Sequence, residues 1–376
     1  MKTLMKLRHT ILSFAKALLA AVLVSSSVNS LAQTTLGTAA AALEPGRWSV
    51  FNRSGDASGY NYDLIVSCTG TDCADNILNY SAKGLWNPNT REIHFLGQGH
   101  GGRLMKHISY SDASSRWTLE AKPSWDCSPN PTCYSIGHGY EHSTIDPTTG
   151  TIYARKFNNT EVYKWMRSTK TWSALPPAPN PAVVVSLEWF PEMNGFLMVG
   201  GGQIHLYSEA TKAWRSLATG LTMGDYSNVA SYNPLHKVAI VGGGVGSRAL
   251  YRVGSDGSVT RIADAPGDVG IFGGLLTTDP VSGKVLLFTA AGTVHEYDIP
   301  SNRWSTLSSS IPLWNATNTL KIMFRVAVPI STYGVIAFLT TNGEASTNVY
   351  LYRHSPGTGA SVDNPPPAPP TGVLLR

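Results

Sequence analysis

The sequence predicts an all-β fold, a β-propeller of six four-stranded blades. Three observations carry this expectation. A unit of strand, small-residue loop, strand, polar turn and tryptophan recurs at Gly150, Gly195 and Gly283, and in weaker form at Lys237. An aromatic residue precedes a tryptophan by seven positions in Tyr110/Trp117, Trp165/Trp172, Tyr207/Trp214 and Tyr297/Trp304. Pro88, Pro147, Pro191, Pro234, Pro280 and Pro329 mark turns after short strands, at separations of 59, 44, 43, 46 and 49 residues. One four-stranded sheet cannot bury both faces alone, and radial packing of such sheets does.

Taken in order, residues 1–32 read as a secretory signal peptide. Lys2, Lys6, Arg8 and Lys16 precede the apolar stretch ALLAAVLV, and Ser30-Leu31-Ala32 ends the segment in the small-x-small pattern. The apolar stretch is too short to span a bilayer, so no membrane span is expected. Those four cations account for most of the formal charge of +5 and leave +1 on the rest, so nothing points to nucleic acid. The expected compartment is extracellular or periplasmic. Residues 33–43 read as a leader, 44–356 as the propeller and 357–376 as a proline-rich tail or linker.

The last blade has only three strands before the tail. Its fourth is expected from the N-terminal end, where Trp48 in GRWSVFNR falls at the tryptophan position and closes the ring. A seventh blade would need a degenerate unit within residues 50–80. In blade four Thr260 stands where tryptophan is expected.

The run KVAIVGGGVGSRALYRVG has the rhythm of a dinucleotide-binding turn at Gly242, Gly244 and Ser247. That turn must open a helix. The residues after it alternate like a strand instead, and the pattern repeats elsewhere, so a hairpin explains it. The di-glycines Gly201-Gly202 and Gly242-Gly243, the third-strand aromatic and the later tryptophan resemble Kelch repeats. The architecture is similar to the central domain of galactose-oxidase-like proteins. The resemblance covers about residues 44–356.

Antiparallel order puts the starts of the inner strands, the second-to-third loops and the linkers between blades on one face. The longest of these connections carry His100, Arg103, Lys106 and His107, then Tyr134, His138, Tyr140 and His142. Other blades add Asp225, Tyr226 and Arg248 to that face, while Arg325 sits within the last inner strand, where Glu188 is its expected partner. Cys68/Cys73 and Cys127/Cys133 form two close pairs, which in an exported chain read as disulfide staples on the same rim.

Such a corner suits β-elimination of a uronic-acid polysaccharide. That reaction needs a base, an acid and a cation to neutralise the uronate. The residue types fit: His142 or Tyr226 as base, His100 as acid or orienter, Arg248 or Arg325 as neutraliser. Arg103, His138, Tyr140 and Asp225 would bind substrate. Secreted propeller lyases, including those acting on ulvan, are similar in fold and use His, Tyr and Arg on one face. No cofactor is required; a divalent metal, Zn or Ca, is the further expectation, with His138 and His142 and either His100 or His107 as the set for Zn. Copper-radical oxidation needs a free cysteine to cross-link to tyrosine, and all four cysteines look committed. The partner expected is an extracellular polysaccharide or glycan, met by a monomer. A non-catalytic glycan- or protein-binding propeller is the alternative.

Overall fold

The computed structural model describes residues 35–52, 77–99, 104–127, 134–180, 182–307, 311, 324–341, 347–354 and 361–362. They build six sheets around one axis, each with four antiparallel blade strands. From the inside outward, blade one is Leu85–Asn87, Glu92–Gly97, Lys106–Ser111 and Arg116–Leu119. Blade two is Ser143–Ile145, Ile152–Arg155, Val162–Met166 and Thr171–Ala174. Blade three is Ser186–Phe190, Gly195–Gly200, Gln203–Ser208 and Ala213–Ala218. Blade four is Asn228–Asn233, Val238–Gly243, Leu250–Val253 and Val259–Arg261. Blade five is Gly274–Thr278, Val285–Thr289, Val294–Asp298 and Arg303–Leu307. The inner strands touch in cyclic order, one to six and back to one, so six blades complete the ring.

Blade six is Phe324–Ile330, Val335–Thr341 and Thr347–Tyr352, with Trp48–Asn52 as its outer strand. Trp48 pairs in register with Tyr352. Its ring stacks on that tyrosine at 4.4 Å and meets Phe338 at 5.1 Å. The first and last parts of the propeller thus share one sheet, as the position of Trp48 predicts. The pairing covers an edge that would otherwise offer bare amides and carbonyls.

The seven-residue aromatic spacing has a direct cause. Tyr110 and Trp117, Trp165 and Trp172, Tyr207 and Trp214, and Tyr297 and Trp304 are cross-strand partners on the third and fourth strands. A two-strand hairpin with a four-residue turn places those positions opposite each other on one face. Trp117, Trp165 and Trp304 are fully buried between blades, where each such ring removes roughly 150–250 Å² from water. Blade four differs. Its fourth strand is short, Thr260 pairs with Arg252, and the Arg261 guanidinium covers the Tyr251 ring instead.

Five of the six prolines open the turn after an inner strand, whereas Pro329 lies within its strand, opposite Ile336, one residue before the strand ends. Every one of the six turns ends on a residue of positive φ: Arg91, Gly150, Asn194, Lys237, Gly283 and Gly334. In four of them an Asn or Asp side chain accepts amide hydrogens two or three residues on, as at Asn87, Asp146, Asn233 and Asp279. The Asn233 amide also donates to the Gly283 carbonyl at 2.6 Å, tying blade four's turn to blade five's.

The glycine run at Gly242–Gly244 turns a hairpin into the strand Leu250–Val253, and no helix comes after it. Gly242 has φ +131°, and a Cβ there would lie 2.4 Å from the Ala249 carbonyl. Close backbone approach explains this glycine without a nucleotide.

Three features go beyond the sequence expectation. The expected leader contains a short helix, Thr35–Ala41, whose Leu36 and Ala40 are buried in the core shared by blades one and six. Ser361–Val362, within the expected tail, pairs with the outer strand of blade five. Ser81–Lys83 runs parallel to the innermost strand of blade six and so enters the central channel.

Candidate functional site

The face on which the inner strands begin is called upper here. The proline turns make the lower face. On the upper side two chain segments cross the axis side by side. The Tyr140 amide donates to the Tyr80 carbonyl at 2.6 Å, and the Ala82 amide donates to the Tyr140 carbonyl at 2.9 Å. Both tyrosines have positive φ, +57° and +36°. Bulky residues rarely adopt that conformation, and such strain concentrates at functional sites. Gly139 permits the crossing, because a Cβ there would meet the Ser81 hydroxyl at 2.2 Å.

These segments gather aromatic rings at the upper mouth. Tyr80 stacks on His138 with centroids 4.4 Å apart and planes 15° apart. Tyr80 also meets Tyr140 and Phe272 edge-on, each at 6.3 Å. Phe157 lies 5.2 Å from His138. Tyr226 and Phe272 are about half exposed, at 48% and 51%, so the array opens to solvent. His138 Nδ1 and the Tyr140 hydroxyl are 2.7 Å apart. Burial pushes the Tyr140 phenol up, and the neighbouring Tyr80 and Tyr226 phenols add to the effect. Tyr140 therefore keeps its proton at neutral pH and can share it with His138 Nδ1.

The other site residues expected from sequence are spread over several environments. His142 is fully buried behind Tyr140, at 5.5 Å between ring centroids. Its Nε2 accepts the Val185 amide at 3.3 Å, so the hydrogen of the neutral ring sits on the buried Nδ1. Burial, and then Arg155, hold its pKa well below the usual histidine range. It is a neutral imidazole that supports the mouth from beneath. Asp225, Tyr226 and Arg248 are exposed on the upper face, and Arg248 faces Asp268 at 3.4 Å. Arg325 is buried near the start of blade six's inner strand. The partner expected for it, Glu188, is occupied by Lys83 and by the Tyr232 amide. His107 is buried in the blade wall against His94 and Trp165. His100, Arg103, Cys68, Cys73 and Cys133 lie outside the described residues. Cys127 is described, and no free cysteine occurs among the described residues.

Sequence reasoning missed the channel's central bar. Lys83 Nζ lies 2.7 Å from Glu188 Oε2, 3.0 Å from Glu141 Oε2, and 2.8 and 2.7 Å from the Leu187 and Ala230 carbonyls. It thereby joins blades three and four to the linker into blade two, from a strand that itself pairs with blade six. Burial alone would lower the lysine's pKa, but the two carboxylates outweigh it and hold it above the ordinary value. Glu141 also accepts the Ser186 hydroxyl and, at 2.9 Å, the Ala230 amide. Its only trace in the sequence is a charge set between Ala82 and Gly84, in a strand too short to show periodicity.

Below this bar the channel widens into a cavity of about 230 Å³. Its rim carries Pro88, Pro147, Pro191, Pro234 and Pro329, five of the six blade-marking prolines. Trp86, Trp189 and Tyr232 contribute to its walls, and Lys83 and Glu188 to its floor. The sequence reading looks for a pocket on the upper face, yet this one opens on the lower. The crossing segments with their aromatic rings lie on the upper side, and Lys83, Glu141 and Glu188 line the cavity's inner end.

No protein-family model and no curated protein matches the chain. What is established is the architecture, a six-bladed propeller closed by its N-terminal strand. Among the described residues, no three His, Cys, Asp or Glu side chains converge as a metal would require. No described helix is long and apolar enough to cross a membrane.

Proposed function

We propose that this chain is an exported, Kelch-like propeller that takes an extracellular glycan on its upper face. The supporting observation is the aromatic array of Tyr80, His138, Tyr140, Phe272 and Tyr226, partly open to solvent and fixed by strained, hydrogen-bonded backbone. Rings of this kind stack on the apolar faces of sugars, and their polar tips reach sugar hydroxyls. Arg248, Asp225 and Asp268 supply charge beside it.

One contact favours catalysis by β-elimination as the activity of this site. In the proposed reaction the protonated Tyr140 phenol beside His138 gives its proton to the leaving oxygen, the exposed Tyr226, once it has lost its own proton to solvent, takes the proton beside the uronate, and Arg248 neutralises the uronate. In this arrangement His142 positions Tyr140 and does not touch substrate.

The test is a titration with uronate polysaccharides, with ultraviolet absorbance of the unsaturated product monitored in parallel, with and without EDTA. Tyr226→Ala with Phe272→Ala should weaken binding on the order of ten-fold or more while leaving thermal unfolding unchanged. Unaltered affinity in that double variant would remove the upper face from consideration. Binding without any rise in absorbance would leave a glycan-binding protein.

A further inference from the structure

The lower cavity plays no part in the upper-face reading. We infer that it is a binding site for an alkylammonium group, a primary or quaternary amine carried on a small apolar body.

The floor decides the sign of the charge. Lys83 has three hydrogens to donate. Four acceptors already lie within 3.0 Å of its Nζ: Glu188, Glu141 and the carbonyls of Leu187 and Ala230. Lys83 keeps no hydrogen for an anionic ligand. Glu188 is in the opposite position. Each of its oxygens has one described partner, Lys83 on Oε2 and the Tyr232 amide on Oε1. A carboxylate has about four acceptor sites, so capacity remains. Its side chain is 16% exposed, and it lines the cavity. One lysine also faces two carboxylates, which leaves a net negative charge at the floor when both are ionised.

The walls decide the rest of the ligand. Trp86, Trp189 and Tyr232 line the space above the floor. Aromatic rings attract ammonium groups, and the apolar wall of these rings and the rim prolines accepts an alkyl body. The cavity, at about 230 Å³, lies below the roughly 300 Å³ at which pockets for drug-sized molecules begin. A butylamine or tetramethylammonium ion is of suitable size. Burial, and repulsion from Glu141, push Glu188 above the usual carboxylate range despite Lys83. A bound cation would relieve that shortage of positive charge.

The experiment is calorimetric titration of the full chain with n-butylammonium chloride at fixed ionic strength. Butanol and sodium butyrate serve as matched neutral and anionic probes. Saturable one-to-one binding of the amine is expected, with butanol weaker by on the order of ten-fold or more, and no binding of butyrate. Glu188→Gln keeps the shape of the floor and removes one charge, and it should weaken the amine by a similar factor. Ser331→Trp, at an exposed rim position, should block the cavity without touching the floor. Tyr226→Ala should leave amine binding unchanged, which separates this site from the upper face. The inference is overturned if the amine does not saturate, if butanol or butyrate binds as tightly, or if folded Ser331→Trp keeps full affinity.

Discussion

Lys83→Met is expected to destabilise the fold by roughly 3–5 kcal/mol, because it strands two buried carboxylates rather than merely deleting one ion pair. Glu141 and Glu188 are 3% and 16% exposed as side chains, and Lys83 is their common counter-charge. The loss should depend on pH, in a direction set by the carboxylates. Glu188 is already raised above the ordinary carboxylate value, and removing Lys83 raises it further. A carboxyl whose folded pKa is raised stabilises fully below its unfolded value and loses that contribution as pH rises through the folded one. The deficit should therefore be small near about pH 4 and full at about pH 8. Urea denaturation of both proteins at the two pH values measures it. An equal deficit at both would mean that packing, not charge, holds the bar in place. In the wild type Lys83 itself is raised, so its own contribution should persist to alkaline pH and fade only as pH climbs past its folded value.

The second large effect concerns ring closure. Trp48→Ala removes the ring stacked on Tyr352 and packed against Phe288 and Phe338. Truncating a packed tryptophan costs about 3–5 kcal/mol, and Trp48 is only partly buried, so the lower end is expected. Deleting residues 46–52 goes further and leaves the strand Thr347–Tyr352 as an open edge. That form should associate at micromolar concentration, visible as light scattering before thermal unfolding. If the deletion stays monomeric with unchanged melting, the fourth strand of blade six is dispensable.

Most of the fold was legible because blades repeat. The aromatic pairs seven residues apart reflect cross-strand neighbours, and five of the six prolines stand three residues before the positive-φ residue that ends the turn. Trp48 could be placed because it fills a slot the repeat leaves empty. The insertions into the repeat were not legible. Ser81–Lys83 is too short to show periodicity, and the helix Thr35–Ala41 lies in small residues whose burial depends on blades far along the chain. The site was partly legible. Glycines around His138 and Tyr140 indicated close approach, and those residues do meet. Sequence could not tell that His142, two residues on, points into the wall, since alternation gives a side but not a depth. Nor could it pair Lys83 with Glu188 rather than Arg325 with Glu188, because every inner strand presents its charges to the same axis.

The sheet shared by Trp48–Asn52 and Thr347–Tyr352 orders events in the life of the chain. The strand made first must wait until some three hundred further residues exist before its neighbour appears. Closing so long a span carries an entropic penalty of about 5 kcal/mol, repaid only when all six sheets are in place. A polypeptide cut short anywhere before residue 347 would leave both lips of the ring unsealed and prone to stick, so the seam reports that synthesis has passed the last strand of blade six.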